Sequence, residues 1–268
     1  MLNWLWVATA AQIIIGTSAV FDKILLKKRV TDPWAYTFWF GLLGLFAVFI
    51  LPFGFEVPSL ETVVLGLIGG AAFVAAAFSV FNALKGGEAS EALPLVGALS
   101  PVATLAISSL ILGTSLGQAD SIGFLLLIAS GLILFFAERR YTTVRFLGWV
   151  FAGALLLAFS HVISKLVFEQ SSFTTGFFLV KLGGVAGVLL PFVFSPSLQK
   201  RIRASEHTSA VNKRMYFANR ALGGFGSLLT SYAIFLSEPA LVDATQNLRY
   251  IVIFVLAWLV LRERFSGR

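Results

Sequence analysis

Few side chains in this sequence could do polar chemistry within its apolar runs, and they fall in a handful of places. Lys181 interrupts the apolar run 173–195 about eight residues in. An ionisable group at bilayer depth costs about 2.5–3.5 kcal/mol on insertion scales, so it needs a partner or a water-filled cavity. Lys181 reads either as a cavity cation for an anionic or carboxylate substrate, or as a snorkelling or structurally paired lysine. The segment 239–262 carries Asp243, Gln246, Asn247 and Arg249. On a helix advancing about 100° per residue, Asp243, Gln246, Asn247, Tyr250 and Phe254 share one face, and Arg249 points about 120° away. An Asp243–Arg249 pair within the helix is therefore not expected, and each should find partners on other helices. The polar face reads as cavity lining, with helix–helix hydrogen bonding as the alternative. His161 lies beside Ser160 and Ser164. Histidine suits a proton relay because its ordinary pKa is near neutrality, but a lone histidine on an apolar helix also serves packing. The first apolar segment adds Gln12, Thr17, Ser18 and Asp22, and Arg220 reads as snorkelling near the start of its helix. The expected substrate-binding set is Lys181, Asp243, Gln246, Asn247, Arg249 and His161.

Enzymatic chemistry finds little footing. There is no HExxH, P-loop, Gly-x-Ser-x-Gly or Gly-x-Gly-x-x-Gly pattern. His161 and His207 are far apart, and the sequence has no cysteine, which removes disulfides, thiolate metal sites and a cysteine nucleophile. The paired glycines lie inside apolar runs, so they are not phosphate loops. The expectation is a non-enzyme with no cofactor and no metal.

The elements that must position these groups are membrane helices. Of 268 residues, 58% are apolar and only 12% charged, with a mean hydropathy of +0.89. A soluble domain carries about 25% charged residues, so this chain has too little polar surface to cover a globule in water. A membrane helix needs about 20 mostly apolar residues. Nine runs qualify: 4–26, 33–54, 60–84, 90–113, 118–137, 145–168, 173–195, 213–236 and 239–262. The stretch 195–214, rich in Ser, Lys and Arg, reads as a solvated loop. The first run has no basic region before it and reads as a permanent helix, not a cleavable leader. A net charge of +7 would suggest nucleic acid in a soluble protein. Here roughly 16 of the 20 basic residues lie in the loops after helices one, three, five and seven and in the C-terminal tail. By the positive-inside rule these sit in the cytoplasm, with the N-terminus outside and the C-terminus inside a bacterial-type plasma membrane. The expected partners are a small-molecule substrate, membrane lipid and a second copy of the chain as a homodimer, with no nucleic acid.

The chain also echoes itself. Ser18-Ala-Val-Phe-Asp-Lys23 matches Ser160-His-Val-Ile-Ser-Lys165, about 142 residues on, and Gly69-Gly70 matches Gly223-Gly224. Glu91 and Glu238 each precede matching helices. The shared order predicts two repeats, 1–140 and 141–268. A unit with an odd number of helices places its second copy upside down, an arrangement found in secondary transporters with a midplane substrate site. Gly66–Gly70 and Gly183–Gly187 have the small-xxx-small spacing of close helix contacts, and Pro101 should kink its helix.

Two segments, EALPLVGALSPVATLAISSLILGTSLGQADSIGFLLLIASGLILFF (91–136) and EPALVDATQNLRYIVIFVLAWLVLRERF (238–265), resemble the EamA family of the drug/metabolite transporter superfamily. The resemblance implies ten helices, five plus five, surrounding a transport path. The second copy here stops at Arg268, where a tenth helix should begin, so the expectation is nine helices with the last missing, as a natural form, a fragment or a truncation. Thr114 stands where the family's helix-ending Glu would be, Glu263 matches it in the second copy, and Tyr250 replaces the counterpart of Pro101. The resemblance also implies a cytoplasmic N-terminus, against the charge count. The function expected is secondary transport of a small polar metabolite by alternating access. The alternatives are a non-transporting scaffold or subunit, a carrier needing a partner helix, and an intramembrane enzyme acting on lipid.

Overall fold

The computed structural model describes residues 3–28, 32–87, 89–138, 143–205 and 210–261, and these are helical with no strand. In chain order the helices are α1 (Asn3–Lys28), α2 (Pro33–Leu42), α3 (Leu60–Gly86), α4 (Ala89–Ile111), α5 (Gln118–Glu138), α6 (Val144–Gln170), α7 (Phe173–Phe194), α8 (Pro196–Ser205), α9 (Ala210–Leu236), α10 (Pro239–Ala244) and α11 (Leu248–Leu261). A 3-10 stretch, Leu43–Phe53, continues α2, and a 3-10 turn, Thr245–Asn247, joins α10 to α11. Among the described residues, six stretches are long and apolar enough to cross a membrane: Asn3–Phe21, Pro33–Phe53, Leu60–Gly86, Ala92–Ile111, Val144–Gln170 and Phe173–Phe194.

Local sequence sets where these helices begin. Asp32, Ser59, Thr143 and Ser172 precede α2, α3, α6 and α7, and each side-chain oxygen accepts a first-turn backbone N–H. Such caps satisfy amides that have no partner inside the helix. Pro33 occupies the first turn of α2, where its missing N–H costs nothing. Gly113 has a φ of 66° just past α4, a left-handed conformation that glycine adopts without a Cβ clash.

α3 is sandwiched between α6 and α7, while α1 runs along α9 and also touches α11. α6 packs on α4 as well as α3, and α10 lies against α4. Outward faces stay apolar: Phe49, Leu110, Leu125, Leu126, Val144 and Phe194 are all exposed. A soluble protein rarely shows so much exposed apolar surface, whereas lipid accepts it. The two small-residue motifs meet each other. A Cβ on Gly70 of α3 would fall on the Val180 carbonyl oxygen of α7, and one on Gly183 would lie 2.5 Å from the Leu67 carbonyl oxygen.

Two local differences from the sequence expectation have physical causes. The 195–214 stretch contains α8, where a solvated loop was expected. Ile202 is buried with Trp34, Phe38 and Val188, and Leu198 one turn before it packs on the same cluster, so two apolar residues anchor an otherwise polar helix. Arg201 Nε and Nη2 donate to the two Asp32 carboxylate oxygens, each at 2.6 Å, which adds a fork-shaped charged contact. Segment 239–262 is helical but broken at Thr245–Asn247, where the Thr245 hydroxyl donates to the Val242 carbonyl at 2.7 Å.

Burial would raise the Asp32 pKa, but the Arg201 hydrogen bond and the Trp34 N–H outweigh it, and the pKa lies below the ordinary aspartate value. A carboxylate with a depressed folded-state pKa contributes stability above its unfolded pKa, and that contribution is lost as pH falls through the folded pKa. Arg201 is 48% exposed, so the pair is expected to be worth no more than about 1 kcal/mol. Asp32→Asn should lower the thermal midpoint slightly at neutral pH and match wild type in acid; an equal deficit at both would assign the effect to capping alone.

Candidate functional site

A cavity of about 240 Å³ opens among the helices, walled by residues of α1, α2, α3, α4, α6, α7, α9 and the α10–α11 break. Its apolar wall includes Phe40, Phe73, Phe81, Leu84, Leu93 and Leu157. Its polar wall holds Lys181, His161, Gln246, Arg249, Arg220 and Ser227.

Lys181 reaches into this space from α7. Its Nζ donates to the Ser227 hydroxyl of α9 at 2.7 Å and lies 4.9 Å from the Phe73 ring centroid and 5.0 Å from that of Phe177. Ring faces attract a cation without neutralising it. Among the described residues no carboxylate lies within ion-pair distance of Lys181. The glycine face of α7, Gly183 and Gly187, is pressed on α3, so the ammonium leaves α7 on another side, toward α9.

A second cluster centres on Asp243, which is fully buried. Its Oδ1 meets His161 Nδ1 at 2.6 Å and accepts from Gln246 Nε2 at 2.7 Å. Its Oδ2 lies 2.5 Å from the Thr104 hydroxyl of α4, which is also 2.9 Å from the Ser100 carbonyl. Gln246 Oε1 accepts from Arg249 Nη2 at 3.3 Å, and Arg249 donates from Nε and Nη2 to Gln12 Oε1 of α1 at 3.1 and 2.8 Å. Asp243 and Arg249 thus do not touch, yet Gln246 links them into one chain from α6 to α1.

The polar face of segment 239–262 divides at the 3-10 turn. Gln246 and Arg249 line the cavity, and Asp243 stands behind Gln246. Asn247 turns away: its Nδ2 donates to the Leu127 carbonyl of α5 at 2.7 Å. The Tyr250 hydroxyl donates to the Leu93 carbonyl of α4. Arg220, expected to snorkel, is instead 7% exposed and sits over the rings of Tyr36, Phe40 and Tyr216 at 5.3, 5.7 and 5.7 Å. Asp22 and His207 lie outside the residues whose side chains are described. Sequence reasoning did not single out Ser227 or Thr104; nothing in their local spacing marks them, and only the fold brings them to Lys181 and Asp243.

Apolar helices long enough to span a bilayer, wrapped around a chamber with buried cations, define a multi-pass α-helical integral membrane protein. The model of the EamA-like transporter family matches residues 2–136, and the chain belongs to that family. A solved structure, described only as a crystal structure of a protein, is similar in fold, with a TM-score of 0.64 and 19% sequence identity over 96% of this chain and 92% of the other. No curated protein matches the sequence.

Proposed function

We propose that this protein is a secondary transporter that moves a small polar metabolite by alternating access. In this reading nine spans form two oppositely inserted copies, 1–140 and 141–268, with the N-terminus outside and the C-terminus in the cytoplasm. Helix neighbours support the repeat. α1 packs on α9 and α11, and α6 packs on α3 and α4. Exchanging the copies would carry α1 to α6, α3 to α9 and α4 to α10–α11, which turns one set of neighbours into the other. The copies would rock against each other around the chamber. Of the expected binding set, Lys181, His161, Gln246 and Arg249 would meet a substrate, Asp243 would hold His161 and Gln246 from behind, and Asn247, bonded to α5, would stay outside the site.

One observation carries the proposal. Lys181 faces an interior cavity with a serine and two rings for partners, and an unpaired charge at this depth is costly unless water or a ligand reaches it. The experiment is counterflow of a metabolite panel in liposomes containing the purified protein. Lys181→Ala is expected to abolish uptake while the yield and elution profile of folded protein stay unchanged. Unchanged uptake in that variant removes Lys181 from the site. A well-folded protein that moves nothing on the panel would favour the scaffold reading.

A further inference from the structure

We propose that the chamber selects small, water-soluble organic monoanions, a carboxylate on an apolar body, and rejects zwitterions and cations. The inference rests on the carrier reading and deepens it. It begins with the charge inventory of the wall. Lys181, Arg220 and Arg249 are cationic, and among the described residues the wall contains no carboxylate. Asp243 is the nearest acid in the network, and it is sealed: His161 and Gln246 occupy Oδ1, Thr104 faces Oδ2, and the residue has no exposed surface. A substrate ammonium therefore meets no acid among the described residues of the wall. Three of the rings that could attract a cation are engaged: Phe73 and Phe177 already face Lys181, and Phe40 already faces Arg220.

Donor supply narrows the anion. The Ser160, Ser164 and Thr230 hydroxyls on the wall donate to the backbone carbonyls of Gly69, Ser160 and Gly226. They have no proton to offer a ligand. Arg249 directs Nε and Nη2 at Gln12 and Gln246. Lys181 spends one N–H on Ser227 and keeps two, while the Ser227 hydroxyl accepts that bond and keeps its own proton. Two adjacent donor groups, one charged and one neutral, match the two oxygens of a carboxylate. Beyond this pair the wall turns to Phe40, Phe81, Leu84, Leu93 and Leu157, which suits an apolar body.

Three probes share one phenethyl body and differ in the head group: 3-phenylpropionate carries a carboxylate, phenethylamine an ammonium and L-phenylalanine both. Their binding is measured by titration calorimetry on the purified protein in nanodiscs, and their movement by counterflow in liposomes. 3-Phenylpropionate should bind at least about tenfold more tightly than the other two, because each charge mismatch at a desolvated site costs on that scale or more. Lys181→Gln should lose at least about tenfold of that affinity and Lys181→Arg should retain most of it. Equal or tighter binding of L-phenylalanine or phenethylamine, no binding of any probe, or unaltered anion affinity in Lys181→Gln each overturns the selectivity. Movement of L-phenylalanine or phenethylamine in place of the anion would overturn it and leave the carrier reading standing. Tight anion binding with no counterflow would do the reverse.

Discussion

Gly70→Ala is expected to destabilise the protein by about 3 kcal/mol or more, at the upper end of overpacking effects, and to collapse the yield of monodisperse material. The new Cβ would fall on the Val180 carbonyl oxygen, 2.5 Å from the Gly184 nitrogen and 2.8 Å from the Gly183 carbonyl carbon. All three are backbone atoms, so no side-chain rotation relieves the clash; α3 and α7 must separate. That separation would strip contact from the small-residue seam that holds these helices together. Gly224→Ala is the matched control. Gly224 is the sequence counterpart of Gly70 in the proposed repeat, but a Cβ there meets nothing within 4 Å. Its replacement should be neutral or gain a few tenths of a kcal/mol from helix propensity. Thermal unfolding in detergent compares the two, and equal midpoints would refute the claim that the α3–α7 seam is a backbone contact.

The seam shows what the sequence could and could not convey. Gly66–Gly70 and Gly183–Gly187 announce close approach by their spacing, but spacing on one helix does not name the partner. The structure shows that the two motifs serve each other. Helix existence was legible because hydropathy is a property of contiguous residues. α8 was not, since its sequence is mostly polar and its anchor is two residues, Leu198 and Ile202, plus an ion pair to Asp32, 169 positions away. The break at Thr245–Asn247 was hidden because no Gly or Pro marks it. At the site, the divergence of Asp243 and Arg249 follows from helical geometry alone. Their indirect connection through Gln246 does not, because it depends on a 3-10 turn that shifts the register between them. Lys181 was conspicuous as a charge in an apolar run, whereas Ser227, a small polar residue 46 positions on, carries no such signal.

Asp243→Ala is the second large expectation, a loss of about 3–5 kcal/mol, the range for breaking a buried charged pair. The cost should not be shared evenly among its partners. Thr104 has one hydroxyl proton and two acceptors in reach, Asp243 Oδ2 at 2.5 Å and the Ser100 carbonyl at 2.9 Å. When the carboxylate is removed, that proton has a bond to return to. His161 and Gln246 have no such reserve: among the described residues His161 Nδ1 bonds Asp243 alone, and Gln246 Nε2 likewise donates only to Asp243. An unsatisfied buried donor costs about 1–3 kcal/mol, so these two orphans account for most of the loss. It follows that Thr104→Val should be mild, and that His161→Phe should relieve part of the damage of Asp243→Ala. The double variant is expected to fall short of the summed single losses by about 0.5–3 kcal/mol, the usual coupling of directly bonded groups. Additive losses would mean that His161 draws its stability from packing against rings such as Phe73, 6.5 Å away, and not from the carboxylate. The distinction reaches function, because the bonded chain runs from α6 through the α10–α11 break to Gln12 on α1, across both proposed copies. If the copies rock, this chain must either open at one of its links or move as one body. The links that cross between the copies are Arg249 to Gln12 and Thr104 to Asp243; if they part, the arginine keeps Gln246 and the carboxylate keeps His161 and Gln246. A break there would leave His161, Asp243, Gln246 and Arg249 bonded to one another within the second copy, so each charged group would keep a partner throughout the motion.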